Sequence, residues 1–180
     1  MKRLKKIIIN VSLIVIAYFL YFLQSNFFSW FTIAGVMPNL FVIFILFIGL
    51  FYGRTAGVVY GLVVGMILDL VIGKQIGVNM IGFGIIGFLA ALFDRNFSKD
   101  SRATIMFMVL GATIIFEMIV YVADGVLYAS NIEVFNFIKI LAIEIIYNLI
   151  LTIIIYPLIQ KFGYYIENEY KENKILTRYF

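Results

Sequence analysis

Three acidic residues lie within long apolar stretches of this 180-residue chain: Asp69, Glu117 and Glu144. An ionisable group at membrane depth is costly and is a functional candidate by default. At 1.5 Å per residue, Glu117 and Glu144 both lie roughly 10 Å below the outer end of their stretches. Because a short connection joins these stretches, we expect the two carboxylates to face one polar cavity that opens outward. Asp69 is expected either to join this cavity or to reach water or Lys74 at a helix end.

The residues that most enzymes use are missing. The chain has no Cys and no His, which excludes disulfides, thiol nucleophiles, Ser/His/Asp triads, haem ligation and ordinary zinc sites. No Walker lysine follows a glycine loop, and Gly82-Phe83-Gly84 lacks the preceding strand that a dinucleotide fingerprint requires. We therefore predict a protein that is not an enzyme and that has no catalytic residues, no cofactor and no metal site.

The composition is that of a membrane protein. Hydrophobic residues make up 64% of the chain and charged residues only 13%, against about 25% charged in soluble domains. The fold class expected is an all-α integral membrane protein, a single bundle of six transmembrane helices in residues 1–160. Apolar runs place these helices near 7–23, 38–52, 55–73, 77–93, 103–123 and 137–160. Residues 161–180 are expected to form a cytoplasmic tail, as an interfacial helix.

The basic residues predict the orientation. With the N-terminus inside, six spans leave twelve Lys and Arg residues on the cytoplasmic side and only Lys74 and Lys139 outside. This is the bias of the positive-inside rule, and it predicts that both termini are cytoplasmic. Because the net charge of +4 lies at the membrane edges, the partner it indicates is the lipid bilayer and not nucleic acid.

Small residues recur at every fourth position around the third span. The ladder consists of Gly53, Gly57, Gly61, Gly65, Asp69, Gly73 and Gly77. On a helix such positions form one ridge, which lets another helix backbone approach closely. The ridge is expected either to pack within the bundle or to be the docking face for another membrane protein. Gly84 and Gly87 of the fourth span are candidates for its partner surface.

The ladder, together with Pro38-Asn39-Leu40 at the start of the second span, resembles the MreD family of rod shape-determining membrane proteins. The resemblance implies a non-catalytic scaffold in the bacterial cytoplasmic (inner) membrane that supports lateral peptidoglycan synthesis during cell elongation. It implies binding to an MreC-like bitopic protein and, through it, association with MreB, RodA and a penicillin-binding transpeptidase.

The family's fold is in turn similar to the S component of energy-coupling-factor transporters. This similarity implies an alternative function, in which the outer cavity binds a small molecule such as a vitamin and the bundle docks on a coupling protein. S components typically carry an Ala-x-x-x-Ala face in their first helix. Residues 11–20 read Val-Ser-Leu-Ile-Val-Ile-Ala-Tyr-Phe-Leu, a departure that disfavours the transporter function.

Overall fold

The computed structural model describes residues 2–72, 76–96, 99, 101–128 and 133–175, and this part of the chain is mainly helical, with a non-helical connection at 28–39. In these described ranges six α-helices follow one another, and a π-helical turn, Leu23–Phe27, extends the first. They are α1 (Lys2–Phe22), α2 (Leu40–Phe51), α3 (Arg54–Ile72), α4 (Val78–Asn96), α5 (Arg102–Tyr128) and α6 (Val134–Ile175). The only β pairing in the described residues is a single bridge between Ile33 and Val36.

The structure supports the all-α membrane class. Within the part of the chain that the structure describes, four segments are long and apolar enough to cross a bilayer: Arg3–Phe27, Arg54–Ile72, Arg102–Val126 and Val134–Tyr170. The other two apolar helices are shorter, Leu40–Phe51 and Val78–Asp94. Of the six predicted spans, four therefore correspond to helices that are long enough to cross a bilayer and two to shorter apolar helices.

Helix α2 is the centre of the bundle. Its 12 residues are all buried, and it contacts α1, α3, α4, α5 and α6. A helix of this length measures about 18 Å, less than the ~30 Å hydrocarbon core. Because α2 is apolar on every face and other helices surround it, it forms a core helix of the kind expected for a uniformly hydrophobic segment.

Helix α6 runs past the end of the span predicted at residue 160. It has 42 residues and continues through Pro157, so its length is about 63 Å, roughly twice the hydrocarbon thickness. The segment after residue 160 packs on the bundle: Gly163 lies against the ring of Phe51, and Ile166 is buried. This packing explains why the helix does not end where the apolar run ends.

Contacts between chain-distant segments define one end of the bundle. Lys5 Nζ lies 2.6 Å from Glu169 Oε1, which joins the start of α1 to the last part of α6. Lys99, in the α4–α5 connection, lies 2.8 Å from Glu167 Oε1 and donates to the Leu50 carbonyl at 3.5 Å. We call this the basic end. It gathers the start of α1, the end of α2, the α4–α5 connection and the end of α6.

Candidate functional site

Three glycines of α3 face the backbone of α4: Gly57, Gly61 and Gly65. A Cβ built on Gly57 would lie 2.7 Å from the Gly87 carbonyl oxygen, and one on Gly65 would lie 2.5 Å from the Asn79 carbonyl oxygen. A Cβ on Gly61 would collide with the Phe83 carbonyl group. The two backbones are therefore in direct contact along this line, which we call the glycine seam.

A third helix joins the seam at one point. The Cβ position of Gly57 lies 2.7 Å from the Cα of Gly49 in α2, and a Cβ on Gly49 would lie 2.7 Å from the Gly87 carbonyl oxygen. Three glycines from α2, α3 and α4 thus meet where no side chain fits. Gly49 was not singled out from the sequence, although it lies four residues before Gly53 and so continues the spacing of the ladder.

The outer members of the ladder have a different role. Gly53 and Gly77 have φ values of 102° and 99°, and a Cβ at either position would meet nothing within 4 Å. They lie just before α3 and just before α4, where a left-handed backbone conformation favours glycine. Gly73 lies outside the described residues. The ladder therefore combines a packing surface with turn positions at both of its ends.

Asp69 continues the seam as a helix cap. The residue is 1% exposed. Its Oδ2 accepts hydrogen bonds from the backbone N–H of Gly77 at 2.9 Å and of Met80 at 3.1 Å. Its Oδ1 accepts from the backbone N–H of Asn79 at 3.1 Å and from the Asn79 side-chain amide at 2.8 Å. A carboxylate on α3 thus satisfies the free N–H groups at the start of α4, where the helix dipole also favours a negative charge.

A second polar cluster lies at the opposite end from the basic end. Asn148 of α6 is fully buried and connects three segments. Its Oδ1 accepts from the backbone N–H of Asn39 at 2.9 Å, and its Nδ2 donates to Thr113 Oγ1 on α5 at 3.0 Å. Because buried polar groups require partners, this amide determines how the start of α2 sits between α5 and α6.

The start of α2 explains the Pro38-Asn39-Leu40 motif. Asn39 Oδ1 accepts from the backbone N–H of Val42 at 3.2 Å, which is the bonding of an N-cap residue. Gln24 Oε1 accepts from the backbone N–H of Leu40 at 3.1 Å. The side chains of Gln24, Asn39 and Asn148 therefore supply acceptors for backbone N–H groups at the start of α2, which is surrounded by protein.

Glu144 lines a cavity of about 320 Å³ beside this cluster. Gln24, residues 34–39 and Ile140 form its other walls, and we call it the outer cavity. The structure brings the carboxyl groups of Glu144 and Glu117 together, close enough to share a hydrogen bond. Asp69 is not among the described residues that line this cavity, since it caps α4 instead.

A tight turn forms one wall of the outer cavity. Ile33 and Val36 exchange backbone hydrogen bonds of 3.0 and 2.9 Å. The two residues between them, Ala34 and Gly35, have φ values of 50° and 81°. Positive φ at both central positions is typical of a type I′ turn. A left-handed alanine carries backbone strain of a kind that clusters at functional sites.

A long opening separates α1 from α3 on the side of the bundle. Its part toward the basic end is a cavity of about 950 Å³ that Asn10, Tyr52 and Arg54 help to line. Its other part is an apolar cavity of about 360 Å³ that Ala17 on α1 and Val71 on α3 help to line. Ile14, Tyr60 and Val63 line both parts. We call this continuous opening the α1–α3 groove.

Residues 2–166 match the family model described as rod shape-determining protein MreD. The chain belongs to the MreD family. The match covers nearly the whole chain. It includes the glycine seam, Asp69, the start of α2, Glu117 and Glu144. No curated protein and no solved structure matches the chain. MreD proteins are structural membrane proteins that determine rod shape, and this role in cell shape applies to the present chain.

The MreD chain also contains polar residues that the sequence did not identify as important. Gln24, Thr113 and Asn148 are isolated polar positions within or beside apolar runs, and no spacing distinguishes them. In the sequence Lys99 is only one of several charges in a connection, yet in the structure it pairs with Asp94 at 2.7 Å as well as with Glu167. For Gln24, Thr113 and Asn148, the signal available in the sequence was an uncharged polar side chain at membrane depth, which usually requires a partner on another helix.

Proposed function

We propose that this MreD-family chain is a non-catalytic scaffold of the cell-elongation machinery and that it binds an MreC-like bitopic protein. Through that partner it associates with MreB, RodA and a penicillin-binding transpeptidase in lateral peptidoglycan synthesis. The chain lies in the bacterial cytoplasmic membrane, where six helices cross and the basic end faces the cytoplasm together with both termini. The positive-inside bias of Lys and Arg supports this orientation.

The α1–α3 groove is the observation that carries the proposal. The glycine seam is filled by α4 and so leaves no ridge for a partner. The groove is open along its apolar part, and toward the basic end the hydrogen bond from Tyr60 Oη to Asn10 Oδ1, at 3.0 Å, joins its two walls. Val63 on α3 and Ile14 on α1 are exposed and line the groove, which continues from the level of Asn10 to the level of Val71. A single transmembrane helix of the partner fits an opening that follows the depth of the membrane, because helices in lipid associate by close packing.

Photo-crosslinking in growing cells tests this assignment. A photoreactive phenylalanine derivative replaces Val63, which lines the groove, and the adducts are identified by mass spectrometry. The matched control is the same replacement at Ile154 on α6, which is 65% exposed and does not line the groove. We expect an adduct with an MreC-like bitopic protein from position 63 and none from position 154.

Two results would count against the scaffold. Equal crosslinking from both positions would mean that the partner does not select the groove. Lipid adducts alone at position 63, with a cell shape that does not depend on the groove, would mean that the opening is filled by the bilayer.

The substrate-binding function of an S component is the second candidate. The outer cavity supports it, since small-molecule sites are concave and hold a few polar groups among apolar walls. Its volume of about 320 Å³ lies at the small end of ligand pockets, which span about 300–1,000 Å³. A stoichiometric vitamin-like ligand and an ATPase-coupled partner in native mass spectrometry of the protein taken from its own membranes would favour this function over the scaffold.

A further inference from the structure

One oxygen of Glu144 lacks the partner that its surroundings require. The residue is 6% exposed, and its Oε1 has no hydrogen-bond partner within the described part of the chain. Burying an acceptor in this state is unfavourable, and more so if the group is charged. Glu144 is also the acidic residue among the described residues that line the outer cavity, so a molecule bound there is a possible source of the missing partner.

No Lys or Arg is among the described residues that line the outer cavity. The ion pair of Lys5 with Glu169 and those of Lys99 with Asp94 and Glu167 lie at the basic end. Lys139 is exposed and makes no ion pair with Glu144 in the described part of the chain. The titratable groups around Glu144 are themselves acidic, Glu117 directly and Asp124 through Glu117. The local field therefore favours a cation.

The remaining polar atoms of the cavity indicate the kind of cation. Gln24 Oε1 already accepts one hydrogen bond, from Leu40, and a carbonyl oxygen has a second lone pair for another donor. Two acceptor oxygens beside a small apolar wall suit a cation with several N–H groups better than a metal ion.

We propose that the outer cavity binds an organic cation whose ammonium or guanidinium group donates to Glu144 Oε1. A charge-assisted hydrogen bond of this kind is stronger than a neutral one, and the bound cation neutralises the one negative charge that remains on the Glu144–Glu117 pair when the two carboxyl groups share a proton. The type I′ turn at 33–36 and the capped start of α2 hold the walls in place before binding. The site is separate from the α1–α3 groove and does not depend on the scaffold function.

Agmatine, which has one guanidinium and one ammonium group, is a suitable probe. The full chain is purified into lipid nanodiscs, and agmatine binding is measured by calorimetry and by the rise in unfolding temperature. The comparison is Glu144→Gln, which keeps the side-chain shape but removes the charge. The matched control is Glu133→Gln, the same change at an exposed residue that bonds Asn136 and lies outside the cavity.

We expect agmatine to bind the wild type and Glu133→Gln equally and to bind Glu144→Gln at least tenfold more weakly. Glu144→Gln is expected to remain folded, because it removes a buried charge without changing the packing. Absence of agmatine binding to the folded wild type would overturn the proposal, as would equal binding to Glu144→Gln.

The natural cation has two possible sources, a free small molecule or a Lys or Arg side chain of a partner. Native mass spectrometry of the protein from its own membranes detects the first as an adduct that Glu144→Gln loses. A photoreactive residue in place of Met37, in the cavity wall, detects the second as a protein crosslink that Glu144→Gln loses. Either result supports the proposal and names the source, and an adduct or crosslink that persists in Glu144→Gln contradicts it.

Discussion

Replacing Gly61 by alanine tests the close approach of α3 and α4 with the smallest possible change. The added Cβ would lie 2.6 Å from the Phe83 carbonyl carbon and 2.9 Å from the Gly84 nitrogen. These are backbone atoms of a helix and cannot move aside as a flexible side chain does. The two helices must therefore separate by roughly 0.8 Å to restore ordinary van der Waals contact.

The cost follows from how helices associate in lipid. No hydrophobic drive holds α3 to α4, so their stability depends on van der Waals packing and hydrogen bonds. A gap of about 0.5–1 Å removes a quarter to a half of each affected pairwise attraction, and overpacking costs typically about 1–3 kcal/mol. We expect Gly61→Ala to lower the free energy of unfolding by about 2–3 kcal/mol, and Gly61→Leu to prevent the seam from forming.

The assay is unfolding of the purified protein in mild detergent, followed by helical circular dichroism. Gly111→Ala on α5 is the control, because a Cβ there meets nothing within 4 Å and alanine favours a helix by up to about 1 kcal/mol. We expect the control to be at least as stable as the wild type. If Gly61→Ala unfolds at the same point as Gly111→Ala, the backbone contact that defines the seam is not present.

Three further changes test the polar clusters by the same assay. Asp69→Ala removes the acceptor for three backbone N–H groups at the start of α4 and should cost about 2–3 kcal/mol, with Asp69→Asn nearer the wild type; equal stability of the two variants would contradict the cap. Asn148→Leu should cost about 1–3 kcal/mol, and a neutral result would mean that water replaces the amide. Lys99→Met should cost about 1–3 kcal/mol by removing the ammonium group that pairs with Asp94 and Glu167, which is less than the cost of breaking a fully buried pair; salt that abolished this difference would show the pair to be solvent-exposed.

The elements could be located from the sequence because apolar runs and four-residue glycine spacing are local signals. Helix α3 occupies 54–72 in the structure, within one residue of the span predicted at 55–73. The matching depths of Glu117 and Glu144 together with a short connection likewise predicted neighbours, and the structure places the two carboxyl groups in contact. Such inferences succeed where helix geometry alone determines position.

The partners of single polar residues could not be derived in this way. Asp69 bonds to donors 8–11 residues later, and this depends on how the chain turns between α3 and α4. Asn148 reaches Asn39, 109 positions away, so no local pattern relates them. The continuation of α6 beyond residue 160 follows from packing of Gly163 on Phe51, a tertiary contact that overrides the end of the apolar run.

The bundle has a tightly and a loosely packed part, and this difference bears on where a partner binds. Helices α2, α3 and α4 share glycine contacts that leave no space between their backbones, whereas α1 packs mainly on α2 and α6 and is joined to α3 by the hydrogen bond between Tyr60 and Asn10. A helix inserted beside the tight part would have to break packing that is already complete. A helix inserted between α1 and α3 would instead add packing to the surfaces that have least of it, since attraction in lipid comes from close contact. The glycine ladder, which in the sequence resembles a docking ridge, thus packs α2, α3 and α4 tightly together. A partner helix in the α1–α3 groove would pack against the wall that these three helices form.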